Sequence, residues 1–143
     1  MPTFEGGCYC AEIRYKVEVE KDDDLRTSLC HCGNCKKFTG GPYGITTKVP
    51  LAAFHLTRGT PKQHTADNGS GSLLHRQFCA TCGSPIAEWG AAAQDSARYI
   101  FYGTFDKVGE QKALDPKGEF FTSRRVQWLV PVRDTFQKRE IKE

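Results

Sequence analysis

Apolar and charged side chains alternate along residues 12–19. Four apolar residues are separated by charged ones: Ile13, Tyr15, Val17 and Val19 alternate with Glu12, Arg14, Lys16 and Glu18. A period of two is typical of a strand with one buried and one exposed face, so this stretch is predicted to be a strand. The acidic run at residues 20–24 predicts an exposed turn directly after it.

Shorter apolar stretches bounded by glycine, proline or charged residues predict seven more strands. They cover residues 26–29, 44–49, 54–57, 73–78, 85–89, 98–104 and 126–130. The aromatic content of 98–104 favours a place near the centre of a sheet. Residues 91–97 fit either a short helix or a loop, and residues 65–72 have the composition of a hairpin tip. Two glycines and a proline at 40–42 limit any helix after Lys36 to about one turn. These elements predict a mainly β fold.

Length and charge bound the organisation of the chain. Its 143 residues fit one domain, which we assign to residues 1–136, followed by a charged tail at 137–143. The 20 basic and 17 acidic residues nearly balance, and no basic cluster is dense enough to predict a nucleic-acid partner. No apolar run is long enough to span a bilayer, and the first residues do not have the pattern of a signal peptide. We therefore expect a cytoplasmic protein without a membrane partner, in a reducing compartment that keeps thiols free.

The cysteines lie in three close groups. All seven belong to one of them: Cys8 and Cys10, then Cys30, Cys32 and Cys35, then Cys79 and Cys82. Thiolates spaced by one or two residues are typical ligands of zinc, which they bind at about 2.3 Å in a tetrahedron. The sequence therefore predicts zinc as the cofactor.

The number of ligands divides the cysteines into two sites. A structural zinc site takes four protein ligands, whereas a catalytic site takes three and leaves one position to water or substrate. Neither pair can hold a metal alone, so Cys8, Cys10, Cys79 and Cys82 are predicted to join across the fold as a structural site. The remaining three cysteines form an open catalytic site, which makes two zinc ions per chain.

Two other interpretations of the cysteines remain open. His31 or another histidine could complete the second set, which would give two closed sites and no chemistry. Disulfides fit less well, because the number of cysteines is odd and the spacing is that of metal ligands.

An open site with three thiolates suggests chemistry on a thiol. Its zinc would favour an incoming thiol in the deprotonated form. A thiol held in this way would be a nucleophile, and the reverse of its addition would cleave a carbon–sulfur bond. Four cations could contact the carboxylates of a thiol substrate: Lys36, Lys37, Arg124 and Arg125. Three aromatic residues could line the pocket or belong to the core: Phe38, Tyr43 and Trp128.

Three motifs occur in a fixed order along the chain. They are Gly-x-Cys-x-Cys at 6–10, Cys-His-Cys-x-x-Cys-Lys-Lys-x-x-Gly at 30–40 and Phe-Cys-x-x-Cys-Gly-Ser-Pro at 78–85. Together they resemble the glutathione-dependent formaldehyde-activating enzyme family, also called the centromere protein V/GFA domain family. Residues 120–129 are similar to the ending of its fungal-type members. The resemblance covers nearly the whole chain.

The resemblance implies an Mss4-like fold of twisted antiparallel sheets with zinc-ribbon-like knuckles. It also implies the same division of the cysteines and a carbon–sulfur lyase activity in which glutathione, held at the open zinc, is the thiol that adds to a small aldehyde. Two positions depart from the family pattern: Ala11 replaces a common glycine, and Gly41 replaces a serine near the open site. Mss4-like folds also serve as non-catalytic zinc-binding modules. That role and a tailoring lyase or isomerase acting on another metabolite remain as alternatives.

Overall fold

A computed structural model describes residues 1–69 and 71–141. Over these residues the chain forms eleven β-strands and one α-helix, with short 3-10 turns between them, so the prediction of a mainly β fold is confirmed. The strands are β1 Thr3–Gly7, β2 Arg14–Glu18, β3 Arg26–Cys30, β4 Gly44–Pro50, β5 Phe54–Arg58, β6 Lys62–Asp67, β7 Leu73–Phe78, β8 Pro85–Gly90, β9 Ala97–Phe101, β10 Pro116–Phe120 and β11 Phe136–Gln137. The helix, α1, is Gly33–Thr39. It is neither long nor apolar enough to cross a membrane.

The strands form two sheets. The smaller one is antiparallel, with the order β1-β2-β5. The larger one has the order β11-β10-β3-β4-β9-β8-β7-β6. It is mixed, because β10 pairs in parallel with both β3 and β11 while the other neighbours are antiparallel. Strand β9 lies near the middle of this order, which confirms the central place predicted for it.

The core lies between the two sheets. The alternation in β2 buries Tyr15 and Val17, as its period of two predicts. The larger sheet contributes Val49, Ile86 and Ile100 to the same cluster. Full burial of each such side chain stabilises the fold by about 1.5–3 kcal/mol. Cys8 and Cys79 belong to this core cluster, so one pair of the predicted metal ligands is part of the packed interior.

Several elements differ from the sequence predictions. The strand predicted at 98–104 ends at Phe101 and continues as a 3-10 turn. The helix limited to about one turn after Lys36 begins earlier, at Gly33, and ends where Gly40 adopts a left-handed conformation with φ 73°. The pattern missed β1, β6, β10 and β11.

The missed strands β1 and β10 contain glycines where the backbone is closely approached. A Cβ atom on Gly6 would lie 2.4 Å from the Tyr15 hydroxyl, and one on Gly118 would lie 2.1 Å from the Phe136 ring. Glycine weakens the apparent strand propensity of both segments, although packing requires it. The low strand propensity of glycine is therefore the reason that the sequence pattern did not predict these two strands, which tertiary contacts stabilise.

The strand predicted at residues 126–130 is wrong. No strand is assigned there, and Trp128 and Val130 are 69% and 80% exposed. The neighbours of β3 in the larger sheet are β10 and β4, and residues 126–130 pair with none of the described strands.

The predicted tail begins within the larger sheet. Gln137 pairs with Glu119, and the backbone N–H of Lys138 donates to the carbonyl of Glu119. Residues 142–143 of this tail lie outside the described residues, as does Ser70 of the predicted hairpin tip. The division into a domain of 1–136 and a tail stays a prediction.

Candidate metal centres and cleft

Four cysteines meet where the ends of two hairpins come together. Cys8 and Cys10 follow β1, and Cys79 and Cys82 lie in the turn between β7 and β8. Their sulfur atoms all lie within 4.8 Å of one another, and two of the separations are 3.6 and 3.7 Å. A tetrahedron with bonds of about 2.3 Å has edges of about 3.8 Å, so the four thiols fit a zinc ion.

Backbone geometry holds these four thiols in place. Gly83 turns the chain with φ 78°, and its N–H donates to the carbonyl of Cys79. The N–H of Ile13 donates to Cys8 Sγ at 3.3 Å. The hydroxyl of Ser84 lies 3.2 Å from Cys82 Sγ, and hydrogen bonds from Ser84 lower the pKa of Cys82 to about 5. These donors favour the thiolate form, which is the form that binds a metal.

The other three cysteines meet at the start of α1. Cys30 ends β3, Cys32 is the N-cap of the helix, and Cys35 lies in its first turn with its N–H 3.4 Å from Cys32 Sγ. Their sulfur atoms also lie within 4.8 Å of one another. Gly44 leaves room for this turn, because a Cβ there would lie 2.9 Å from Cys35 Cβ.

The three thiols share their protons unequally. Hydrogen bonds from Cys30 and then Cys35 lower the pKa of Cys32 to about 2. The hydrogen bond to Cys32 raises the pKa of Cys30 to about 11, and those to Cys30 and Cys32 raise the pKa of Cys35. Cys32 is therefore the first of the three to become a thiolate, which is the form of cysteine that binds zinc.

His31 faces away from these thiols. Alternate residues of a strand point to opposite faces, so His31 follows the core side of β3 while Cys30 follows the other side. Its ring is 1% exposed, and Nε2 donates to Glu119 Oε1 at 2.6 Å. Among residues 1–69 and 71–141, the group that could hold a metal here consists of the three cysteines alone. The interpretation in which His31 completes a closed site is therefore wrong.

Glu119 connects the loop of the three thiols to the C-terminal segment. Besides His31, its carboxylate accepts hydrogen bonds from the backbone N–H of Val132 and the amide of Gln137, both at 2.8 Å. Burial opposes ionisation, but the donors Gln137, Val132 and His31 hold the pKa of Glu119 at about 2. The carboxylate is thus ionised and fully hydrogen-bonded beneath the thiol loop. No local signal in the sequence singles out this residue.

The three thiols open into a cleft of about 1100 Å³. Its floor is the face of the larger sheet opposite the core, where Arg26, Ser28 and Cys30 follow one another along β3. Aromatic side chains form the walls: Phe38, Tyr99, Phe101, Phe120 and Phe121. The tip of the β6–β7 hairpin also borders the cleft, and the carbonyl of Asn68 accepts a hydrogen bond from the Asn34 amide.

The structure distributes the four predicted substrate contacts unevenly. Arg124 lines the cleft. Lys36 Nζ donates to the carbonyl of Arg124 at 2.6 Å, whereas the side chain of Lys37 is exposed. Arg125 contacts Glu119 at 3.4 Å and bonds to Gln137. Three of the four therefore lie outside the lining of the cleft.

The predicted aromatic residues are also separated. Phe38 lines the cleft, Tyr43 packs against the His31 ring at 5.6 Å, and Trp128 is exposed. Sequence reasoning missed four charged residues of the cleft: Arg26, Arg76, Glu88 and Glu140. Residues two and four apart in a strand point to the same face, so the predicted strand alone would have placed Arg26 on the same face as Cys30. Arg76 and Glu88 come together only through the pairing of β7 with β8.

A family model described as glutathione-dependent formaldehyde-activating enzyme matches residues 3–124, which include all seven cysteines. The chain belongs to this family. A protein of Schizosaccharomyces pombe that is named as an uncharacterized lyase is 29% identical to it over 89 residues. That match covers 60% of this chain, and the chain spans 57% of the length of that relative.

This chain is also similar in fold to a protein of known structure. A crystal structure of a Rhodobacter sphaeroides protein aligns with a TM-score of 0.55 and 19% identity, over 73% of this chain and 89% of the other. At this identity the likeness shows a common fold and carries no functional assignment.

Proposed function

We propose that this family member is a zinc-dependent lyase that cleaves or forms the carbon–sulfur bond between a small thiol and an aldehyde, with glutathione as the first candidate thiol. The observation that carries the proposal is a cluster of three thiols that opens into a cleft and that no fourth side chain completes among the residues the structure describes. The cleft volume of about 1100 Å³ is large enough for an adduct of a small thiol with an aldehyde. We assign the activity to the cytoplasm, where thiols stay reduced.

The two cysteine groups have different roles in this proposal. Cys8, Cys10, Cys79 and Cys82 hold a structural zinc, and Cys30, Cys32 and Cys35 hold a catalytic one. When bound there, zinc supplies an open position and favours the thiolate form of a substrate thiol. The donor sets support this division, because a closed site takes four protein ligands and an open site takes three.

Other residues of the chain orient the substrate and exclude water. The aromatic walls around Phe38, Phe101 and Phe120 cover the apolar part of an adduct. Arg124, which lines the cleft close to Gly33, is the predicted cation best placed to meet a substrate carboxylate. Lys36 holds the backbone of Arg124 through its hydrogen bond to the carbonyl, so its contribution is to position Arg124.

The chemistry needs only the adduct itself. In a hydroxyalkyl thioether, the electron pair of the carbon–sulfur bond passes to sulfur, the hydroxyl loses its proton, and a carbonyl group forms. The sulfur leaves as a thiolate, and the proton balances its charge in the released thiol. The reverse reaction forms the adduct from a thiol and an aldehyde.

Metal analysis and spectroscopy test the proposal. The purified chain should contain about two zinc ions, and its turnover of an aldehyde should depend on added thiol. In the cobalt-substituted protein, glutathione should change the absorption spectrum and release protons in proportion to occupancy. Cys35→Ala should abolish both effects and leave the spectrum of the four-thiol site unchanged.

The alternatives give different results in the same experiment. A non-catalytic zinc-binding module predicts that thiol changes neither the spectrum nor the proton balance. A tailoring lyase or isomerase predicts a spectral response to thiols but no turnover of simple aldehydes with glutathione.

A further inference from the structure

Arg26 carries a positive charge into the cleft, and no acidic side chain in the described part of the chain forms an ion pair with it. Its Nε atom is buried and has no hydrogen-bond partner. Within residues 1–69 and 71–141, its guanidinium makes a cation–π contact, with Cζ 5.5 Å from the centroid of the Phe120 ring. A buried N–H group without a partner has lost its hydration without regaining a hydrogen bond. The Nε–H group of Arg26 is therefore free to donate to an anion in the cleft.

The other charged side chains of the floor differ from Arg26. Arg76 Nε lies 3.3 Å from Glu88 Oε1, and its guanidinium stacks on Phe38 at 4.2 Å. Glu88 is thus already engaged. Glu140, the other acidic residue that lines the cleft, accepts a hydrogen bond from the Ser123 hydroxyl at 3.1 Å. Opposite Arg26 on β4 lies Lys48, which adds positive charge to this end of the sheet.

Arg26 lies at a defined distance from the three thiols. It is four residues before Cys30 on β3 and points to the same face, so their Cα atoms are about 13 Å apart. Ser28 and, on the neighbouring strand, Thr46 lie between them in the lining of the cleft. A ligand whose sulfur is at the thiol cluster would therefore meet the guanidinium on the order of 10 Å away.

We propose that Arg26 binds a carboxylate of the substrate, which makes the preferred substrate a thiol adduct that bears a carboxylate roughly 10 Å from its sulfur. This inference rests on the proposed function for its assumption that the cleft takes a small thiol. The planar guanidinium can bind a carboxylate through two parallel hydrogen bonds, which also orient the ligand. Uncharged thiols of the same size would lack this contact.

The first test compares two ligands of the unaltered, zinc-loaded protein by calorimetry. S-methylglutathione carries both carboxylates but has no free thiol, and its diethyl ester carries neither carboxylate. We expect the acid to bind about 10- to 100-fold more tightly than the ester, because a hydrogen bond to a charged group is lost. Equal affinities, or no binding of either ligand, would overturn the inference.

The second test assigns the preference to Arg26. In Arg26→Gln the acid should lose most of its advantage over the ester, and in Arg26→Lys it should keep part of it, because lysine retains the charge but not the two-point contact. Arg58→Gln is the matched control, since Arg58 is exposed in the smaller sheet and is not part of the cleft lining. It should retain the full preference.

The outcomes separate this inference from the proposed function. If Arg26→Gln retains the full preference for the acid while thiol-dependent turnover persists, the inference is wrong and the function stands. If the preference depends on Arg26 but the protein shows no turnover, the carboxylate site exists in a binding protein. If Arg26→Gln does not fold, the lysine variant and the comparison of acid with ester still decide the question.

Discussion

The two cysteine clusters use the same chemistry in different surroundings. The four-thiol cluster joins residues 69 or more positions apart, and two of its members, Cys8 and Cys79, are buried in the main core. The three-thiol cluster is confined to the end of β3 and the first turn of α1, and all three members are partly exposed. One cluster crosslinks the fold, whereas the other lies on its surface and faces a cleft.

We therefore expect the four-thiol cluster to affect mainly stability and the three-thiol cluster to affect mainly reactivity. A metal that ties distant segments together restrains the whole fold, so its loss affects every contact around it. A metal held by one short turn restrains little, and its surroundings can instead be used for a ligand. The contrast makes distinct predictions for each cluster.

The largest effect is expected at the four-thiol cluster. Cys82→Ser should leave the chain unfolded or aggregated, because structural zinc contributes on the order of 10 kcal/mol to folding in small zinc domains. Circular dichroism with a thermal melt, together with the zinc content, measures this. A soluble Cys82→Ser protein that melts cooperatively with two zinc ions would contradict the assignment of this site.

A change at the three-thiol cluster should remove function and leave the fold. Cys32→Ser should lower bound zinc from two ions towards one and abolish turnover, while the melting temperature stays close to that of the unaltered protein. If Cys32→Ser melts as badly as Cys82→Ser, both clusters are structural and the contrast between them fails.

Glu119→Gln should weaken metal binding at the three-thiol cluster without removing a ligand. A glutamine presents an amide N–H₂ in place of one carboxylate oxygen, so at least one of the donors His31, Val132 and Gln137 loses its acceptor. Breaking such a buried network should lower the free energy of unfolding by about 2–3 kcal/mol, as urea denaturation would show. A chelator should then remove the metal of the three-thiol cluster more readily than in the unaltered protein. Removal of the metal of the four-thiol cluster should be unchanged.

Glu18→Gln is the matched control for that variant. Glu18 forms a partly exposed ion pair with Lys16 at 3.1 Å, which should contribute less than about 1 kcal/mol. Equal losses of stability in the two variants would show that Glu119 does not support the thiol loop in the manner inferred from its contacts.

The smallest effect is expected at Ala11, beside the four-thiol cluster. Ala11 follows Cys10 with φ 67°, a left-handed conformation that disfavours a side chain, at the position where family members commonly have glycine. Ala11→Gly should raise the free energy of unfolding by about 1 kcal/mol without changing the zinc content. Ala92→Gly, in a 3-10 turn and without a positive φ, should lower it instead, and a gain there would contradict the explanation from strain.

Local patterns predicted the parts of the fold whose burial alternates with sequence position. Strand β2 has apolar residues on its buried face, and the cysteine spacing predicted which thiols meet. The strand expected at residues 126–130 shows the limit of this reasoning, because an apolar segment pairs only if a neighbouring strand is available. Strand β10 has a proline and a glycine and gives no such signal, yet it lies between β3 and β11.

The sequence by itself determined the potential metal ligands: seven thiols in three groups allow one set of four and one set of three. Only the tertiary structure decided what surrounds the set of three. The contact between His31 and Glu119 joins residues 88 positions apart, and it turns the imidazole away from the thiols. The cleft likewise combines Arg26 of β3 with Phe120 of β10 through parallel pairing. Local sequence encodes which residues can be ligands, but contacts between distant strands determine which side chains face the same cleft, because they depend on the free energy of the whole packed chain.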